Sequence, residues 1–191
     1  MTQPILIDIP YEIQTERLNI RGPLPGDGER LYTAVKQSQD HLMQWMPWAA
    51  NIPDATGYEV LARKGQLRFL AREDLWLLLF LKETGALIGS SGLHRIDWDV
   101  PKFEIGYWVH VDYVGRGLIT EAVAGIINLA FETLGACRLE IRCDAGNERS
   151  AAVPRRLGFV HEGTLVGDGR HHLTNALRDT MIFARTRPDE T

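Results

Sequence analysis

The chain has 191 residues, of which 45% are hydrophobic and 24% charged, a balance typical of a globular protein and unlike that of a disordered one. Lys and Arg number 21 against 25 Asp and Glu, so the formal net charge is −4, which disfavours nucleic acid as a partner because phosphates bind to basic surfaces. No apolar run approaches the roughly 20 residues of a membrane-spanning helix, and no basic segment followed by an apolar one resembles a signal peptide, so we expect a cytoplasmic protein without a membrane partner.

The first part of the chain is predicted to form one strand followed by helices. Polar and apolar residues alternate over residues 15–21, which predicts a strand. Asp27 can cap a following helix, and a second short helix is predicted over residues 40–45, where Pro47 would end it. A third helix is predicted over residues 53–72 from four apolar residues at helical spacing, which are Val60, Leu61, Leu67 and Leu70.

Strands and helices alternate in the rest of the chain. The sequence pattern predicts three strands, then the clearest helix, and then a strand, a helix and two last strands. This order predicts a mixed α/β protein with one domain over residues 1–191 and a core from about 15 to 185. The predicted strands cover residues 75–82, 86–96, 102–111, 138–144, 159–166 and 176–184, and the predicted helices cover residues 118–134 and 147–157.

The two cysteines and six histidines indicate neither a disulfide nor a metal site. If Cys137 and Cys143 share one strand, they lie about 20 Å apart, which is too far for a disulfide. No histidine has metal-ligand spacing with a cysteine or another histidine. We therefore expect two reduced thiols and no metal.

A glycine-rich loop precedes the clearest predicted helix. Glycines let the backbone turn sharply and approach a ligand, and the first helical turn presents unpaired N–H groups at its positive dipole end. These features favour an anion site suited to a pyrophosphate, although a tight strand-to-helix turn would explain the glycines equally well. The loop and first turn comprise Val114, Gly115, Arg116, Gly117, Leu118, Ile119 and Thr120.

Two further groups of residues are candidates for chemistry. Asn147 and Ser150 share a face at a helix start, either at the mouth of a cleft or simply as a helix cap and a first-turn residue. Glu104, Gly106 and Trp108 share one face of a predicted strand. A carboxylate on a central strand is unusual unless it is paired, but a Glu at the exposed end of a strand is an equal possibility.

Together these motifs resemble the GCN5-related N-acetyltransferases, and within them the RimJ- and RimL-like ribosomal-protein N-acetyltransferases. The resemblance implies a central, mostly antiparallel, twisted sheet flanked by helices, with splayed central strands that form a cleft for acetyl-coenzyme A. Val114, Ile119 and Pro154 depart from the family pattern. The similar segments are Thr15-Glu16-Arg17-Leu18, Glu104-Ile105-Gly106-Tyr107-Trp108, Gly115-Arg116-Gly117, Thr120-Glu121-Ala122, Asn147-Glu148-Arg149-Ser150, Leu157-Gly158-Phe159 and Glu162-Gly163.

The resemblance also implies the transfer of acetyl from acetyl-coenzyme A to a primary amine by direct attack. Glu104 would take the amine proton, Ser150 would protonate the departing thiolate, and a backbone N–H near Val109 would stabilise the oxyanion. The glycine-rich loop would bind the pyrophosphate, while the backbone of residues 108–111 and Asn147 would bind the pantetheine arm. The implied cofactor-binding residues are Trp108, Val109, Val111, Val114, Gly115, Arg116, Gly117, Leu118, Ile119, Thr120 and Asn147.

The acceptor amine is less closely defined by the sequence. An α-amino group has a pKa of about 7.7–8.0 against about 10.4 for Lys, so a single water-relayed carboxylate suits a protein N-terminus better. A small amine, such as a polyamine, amino sugar or antibiotic, is an alternative acceptor. A non-catalytic module that binds coenzyme A is a further alternative, but the presence of both Glu104 and Ser150 opposes it. A homodimer is implied by the family resemblance alone. Four further residues either line the acceptor side or have structural roles in the core and the strands, and these are Trp45, Trp48, Trp98 and His94.

Overall fold

A computed structural model describes residues 3–187, and one eight-stranded sheet runs through them. The strand order is β1-β2-β3-β4-β5-β6-β8-β7, and every neighbouring pair is antiparallel except β5 and β6. The mixed α/β fold with a mostly antiparallel sheet is therefore confirmed. The strands are β1 Glu12–Gln14, β2 Leu18–Arg21, β3 Leu75–Leu81, β4 Leu87–Asp97, β5 Lys102–Val109, β6 Arg138–Asp144, β7 Val160–Arg170 and β8 Leu177–Thr186.

Helices cover both faces of the sheet. Successive residues of a strand point to opposite faces, so Leu77 and Leu79 of β3 pack in one core, and Leu78 and Phe80 pack in the other. The first core contains α3 and α4, and the second contains α1 and α2. We call the two sides the α3/α4 face and the α1/α2 face. The helices are α1 Gly28–Met43, α2 Ala55–Leu70, α3 Leu118–Asn128, which continues into a π-helical turn at Leu129–Thr133, and α4 Glu148–Arg156.

The predicted break before residue 40 is wrong, because α1 continues without interruption to Met43. Its buried residues keep helical spacing past that point, through Val35, Ser38 and Leu42, so packing holds the last turn in place. Pro47 does not end this helix but begins a separate 3-10 turn, Pro47–Ala50.

Helix α2 is confirmed, but the face predicted to be buried is wrong. The four apolar residues that indicated the helix are exposed, with Leu67 at 67% of its full accessibility. Tyr58, Ala62, Gly65 and Phe69 are buried instead, at the same helical spacing. A Cβ on Gly65 would lie 2.6 Å from the Trp76 ring, so the glycine lets α2 lie close to β3.

The ends of the sheet differ most from the predicted strands. Residues 15–17 form a turn between β1 and β2, because the Thr15 N–H donates to the Leu18 carbonyl and the Thr15 hydroxyl accepts from the Leu18 N–H. Strand β7 is longer than predicted and largely exposed, so it lacks the alternating pattern that would have marked its full length. Cys137 is exposed, Cys143 is buried on β6, and both are free thiols. Within residues 3–187, no helix combines the length and apolarity needed to span a membrane.

Candidate active site

A gap between the two parallel strands opens the centre of the sheet. Strands β5 and β6 pair at three positions only, the last being Glu104 with Glu140. Beyond that pair, the edge of β5 that faces β6 has no strand partner, and its backbone is available to an extended ligand. A cavity of about 1300 Å³ lies at this gap, lined from one side by the end of α1 and from the other by α3 and α4. The cavity therefore joins the two faces of the sheet.

The glycine-rich loop forms one end of this cavity. Gly115 and Gly117 have positive φ angles of +79° and +74°, a region that favours glycine. Gly117 is the N-cap of α3 and makes no side-chain cap, so the first-turn N–H groups of residues 118–120 have no protein acceptor in the described part of the chain. Ile119, which departs from the family pattern, lines the cavity and also packs against the α3/α4 core.

An ion pair from the N-terminal hairpin fixes the start of α3. Glu121 accepts hydrogen bonds from the Thr15 hydroxyl at 2.6 Å, the Arg17 N–H at 2.7 Å and Arg17 Nε at 2.6 Å. Arg17 Nη1 also donates to the Arg116 carbonyl in the loop. Burial by itself would raise the pKa of Glu121, but the hydrogen bonds from Thr15 and Arg17 outweigh it and lower the pKa. The Thr15-Glu16-Arg17-Leu18 segment thus positions the glycine-rich loop.

A buried histidine holds the segment that precedes this loop. The Asp112 N–H donates to His110 Nδ1, so Nε2 carries the proton and donates to Gln37 Oε1 at 2.8 Å. The Val111 N–H donates to the Ser38 hydroxyl at 3.1 Å. These bonds tie the segment to α1, and they occupy the backbone N–H of Val111 within the protein.

Helix α4 brings Ser150 to the opposite wall of the cavity. Asn147 is its N-cap and accepts from the Ser150 N–H at 3.0 Å. Pro154 has no N–H, so the Ser150 carbonyl lacks its helical donor, and the Tyr107 hydroxyl donates to it at 2.8 Å. The Ser150 hydroxyl in turn donates to the Tyr107 oxygen at 3.3 Å. Pro154 is thereby accommodated within α4, and Tyr107 joins the candidate site.

The groups around Ser150 are held in their protonated, neutral forms. Burial raises the pKa of Tyr107 well above its ordinary value. Burial also raises the pKa of the Cys143 thiol to about 11. At the α1 end of the cavity, burial and the nearby Arg149 cation lower the pKa of His41.

Most of the predicted site residues lie together, and three do not line the cavity. Val111 and Arg116 lie beside it, while Glu104 lies at the last β5–β6 pair on the α1/α2 face, with its carboxylate 3.2 Å from Arg95 Nη1. The predicted residues that line the cavity are Trp108, Val109, Val114, Gly115, Gly117, Leu118, Ile119, Thr120, Asn147 and Ser150.

Some lining residues were not singled out from the sequence. Tyr107 and Arg149 stood inside similar segments but were given no role, and His41 carried no local signal. Of the four possible acceptor-side residues, Trp45 lines the cavity and Trp48 packs edge-on against Trp108. Trp98 packs instead against Phe103, and His94 pairs with Asp74. Residues 3–187 hold no cluster of three or more His, Cys, Asp or Glu side chains suited to a metal.

Comparison with known proteins agrees with this architecture. Residues 17–160 match the family model described as an acetyltransferase (GNAT) domain. YdaF of Bacillus subtilis (strain 168), whose name assigns it provisionally to the ribosomal N-acetyltransferases, is 36% identical over 82% of this chain and 87% of its own. The ribosomal-protein-serine acetyltransferase of Escherichia coli (strain K12) is 27% identical over 90% of this chain and 93% of its own.

A solved structure shows the same fold. The microcin C7 self-immunity acetyltransferase MccE, in complex with acetyl-CoA and AMP, superposes with a TM-score of 0.86 at 22% identity, over 93% of this chain and 97% of that one. The family match covers well over half of the chain. It rests on the sequence and not on the geometry of the cavity. The chain therefore belongs to the GNAT family of acetyltransferases.

Proposed function

We propose that this chain, as one acetyltransferase domain, acetylates the α-amino group of a protein N-terminus, with ribosomal proteins as the substrate class. The observation that carries the proposal is the cavity that crosses the sheet between β5 and β6, because it joins the glycine-rich loop to the opposite face. The names of two relatives, which refer to ribosomal proteins, support the substrate class. A cytoplasmic location agrees with the two free thiols.

The residues present fit acetyl-coenzyme A. Unpartnered N–H groups at the start of α3 suit a pyrophosphate, and no atom lies within 4 Å of the position that a Cβ on Gly115 would take. The free edge of β5 suits the amide groups of a pantetheine arm. Asn147 uses its side-chain oxygen for the helix cap, which leaves its amide NH₂ available as a donor. When bound, the cofactor supplies the activated acetyl group.

Ser150 is proposed as the proton donor to the leaving sulfur. Its hydroxyl lines the cavity and donates to Tyr107, whose raised pKa keeps that phenol neutral. Ser150 can thus release its proton toward the cavity, while the neutral Tyr107 hydroxyl holds the serine in place. The Val109 backbone, at the cavity end of β5, is proposed to stabilise the oxyanion.

The acceptor is proposed to approach from the α1/α2 face. Glu104 lies on that face beside the gap, where its negative charge would attract a cationic amine, and it remains a candidate base through a water molecule. A polyamine or amino sugar would meet the same surface. A homodimer is part of this proposal on the family resemblance, and sedimentation would test it.

Coenzyme A release over a panel of acceptors tests the proposal. The panel pairs each peptide that has a free N-terminus with the same peptide blocked at the N-terminus, and adds a polyamine and an amino sugar. We expect turnover with the free peptides, highest for ribosomal-protein N-terminal sequences. Turnover with the small amines alone would favour the small-amine function, and binding of acetyl-coenzyme A without any turnover would favour a binding module.

A further inference from the structure

The aspartate–histidine pair of Asp74 and His94 lies on the α1/α2 face, from which the acceptor is proposed to approach. His94 of β4 places its Nδ1 2.9 Å from Oδ2 of Asp74, the residue that precedes β3. The His94 ring is partly exposed on the α1/α2 face. Arg68 of α2 stands behind the pair, 3.8 Å from the same Asp74 oxygen.

The pairing fixes which nitrogen of the ring can accept a proton. An ionised carboxylate can only accept a hydrogen bond, so Nδ1 of His94 carries the hydrogen and donates it to Asp74. The other nitrogen, Nε2, then presents its lone pair. Among residues 3–187, Nε2 has no hydrogen-bond partner, so it is available to a ligand.

Two glycines let the ring lean toward the gap. His94 is paired across the sheet with Glu104, and the next pair on the same face is Gly92 with Gly106. The ring covers that glycine pair: a Cβ on Gly106 would lie 3.3 Å from Cδ2 and 3.6 Å from Nε2. Gly106 is two residues, or about 7 Å, from the cavity-lining Trp108, whereas Glu104 is about 13 Å from it. Of the two side chains, His94 therefore reaches closer to the cavity.

The His94 ring and Ser150 lie on opposite faces of the sheet, on either side of the gap. Tyr107, which contacts Ser150, points to the α3/α4 face, and Gly106 and the His94 ring lie on the opposite face of the same strand. At Gly106 the sheet is open toward β6, because the β5–β6 pairing has already ended. A proton acceptor and a proton donor thus stand on opposite faces of the gap.

The alternatives are less suited to accept a proton. Glu104 is paired with the Arg95 guanidinium. His41 lines the cavity, but burial and the Arg149 cation both oppose its imidazolium form and lower its pKa. His94 instead has a carboxylate, Asp74, 2.9 Å from Nδ1, which leaves Nε2 as the accepting nitrogen. The charged groups around His94 are Asp74, Arg68, Glu104 and Arg95.

We propose that His94 is the base that takes the proton from the acceptor amine, and that Asp74 is its positioning residue. The inference rests on the proposed acetyl transfer to an amine. An N–H bond of the ammonium ion breaks and its proton passes to Nε2, which frees the nitrogen electron pair to bond to the acetyl carbon. The carbon–sulfur bond then breaks with its electron pair on sulfur. Ser150 gives a proton to the sulfur and receives one from the newly acylated nitrogen, which becomes a neutral amide. His94 returns its own proton to water.

The test compares His94→Ala and His94→Gln with the wild type under saturating substrates. We expect kcat to fall by about 10²–10⁴-fold, with unchanged affinity for coenzyme A. For His94→Gln the loss should shrink as the pH rises and the free amine deprotonates itself, and imidazole should partly restore His94→Ala. Asp74→Asn should lower kcat with little change in KM, because the ring loses the carboxylate that holds the hydrogen on Nδ1, and Asp74→Glu should retain more of the activity. His161→Ala, on the exposed edge strand, serves as the control and should retain wild-type kcat.

Four outcomes would overturn the inference. The first is a wild-type kcat in His94→Gln. The second is a loss of kcat in His94→Gln that has the same size from mildly acidic to alkaline pH, because a residue with only a structural role would give a pH-independent loss. Imidazole rescue of His41→Ala but not of His94→Ala would assign the base to His41. A wild-type enzyme without activity toward any amine would overturn the proposed function itself, and this inference with it.

Discussion

The Tyr107 hydroxyl donates a hydrogen bond to the Ser150 carbonyl oxygen at 2.8 Å, across the cavity wall from β5 to α4. That carbonyl is the one whose helical donor Pro154 removes. The proline therefore does not simply weaken α4, because it frees an acceptor that a side chain of the sheet uses. The contact sets the position of Ser150 relative to β5.

A double-mutant cycle tests this relationship. Tyr107→Phe should destabilise the protein by about 1–3 kcal/mol, because the Ser150 carbonyl loses its donor inside the protein. In a Pro154→Ala background an N–H at position 154 can bond to the same carbonyl, so the same substitution should cost less. Denaturant unfolding of the four proteins gives the coupling energy, which we expect to be at least about 0.5 kcal/mol. An equal cost in both backgrounds would contradict the account of Pro154.

Ser150→Ala should slow turnover without weakening the binding of acetyl-coenzyme A. A proton donor needed only as the thiolate leaves acts on the transition state, so kcat should fall by about 10²–10⁴-fold while the Kd holds. Single-turnover kinetics and calorimetry measure the two quantities separately. Unchanged single-turnover kinetics would reduce Ser150 to a first-turn residue of α4.

The fold could be predicted from local patterns wherever packing and pattern agree. Strand β6 alternates along its whole length and was predicted residue for residue. Helix α2 was predicted with the wrong buried face, because its close packing depends on Gly65, which no hydrophobic pattern marks. Strand β7 was predicted too short because most of it is exposed, so no buried face imposes an alternating pattern.

Gly117→Val should abolish tight binding of coenzyme A. A branched side chain at φ +74° is strained, and it would occupy the space where the backbone approaches the phosphates. We expect affinity to fall by more than about tenfold in calorimetry, which is about 1.4 kcal/mol. Gly135→Val is the matched control, because Gly135 has φ +64° but lies outside the cavity. If Gly117→Val binds as tightly as the control, the loop does not hold the cofactor.

Glu121→Gln should destabilise the protein in a pH-dependent way. The pKa of Glu121 is lowered from its ordinary value of 4.5 in the folded state, so the ionised form contributes stability that is fully present above about pH 4.5 and is lost as the pH falls through the folded pKa. We expect a deficit of about 1.5–3 kcal/mol near neutral pH, as for hydrogen bonds to a charged group, and a smaller one in acid. Urea unfolding at several pH values measures it. A deficit that does not shrink in acid would contradict the role of the charge, and Glu132→Gln, at an exposed carboxylate, should change little throughout.

The candidate site was only partly predictable, because some of its residues are adjacent in the sequence and others are far apart in it. The glycine-rich loop is a local motif in which residues and geometry are adjacent. The Thr15 contact with Glu121 spans 106 residues, and the Tyr107 contact with Ser150 spans 43. Only the folded sheet brings these pairs together. The same holds for Asp74 and His94, which a strand pairing joins across 20 residues.

Transfer of acetyl to an α-amine is tested most directly by locating the product on a single peptide. The peptide has a free N-terminus from a ribosomal protein and one internal lysine, and it is incubated with the enzyme and acetyl-coenzyme A. Tandem mass spectrometry then assigns the acetyl group to the first residue or to the lysine. We expect one acetyl group on the N-terminal nitrogen, formed in step with coenzyme A release. Acetylation of the lysine alone, or an unmodified peptide while a small amine is acetylated, would contradict it.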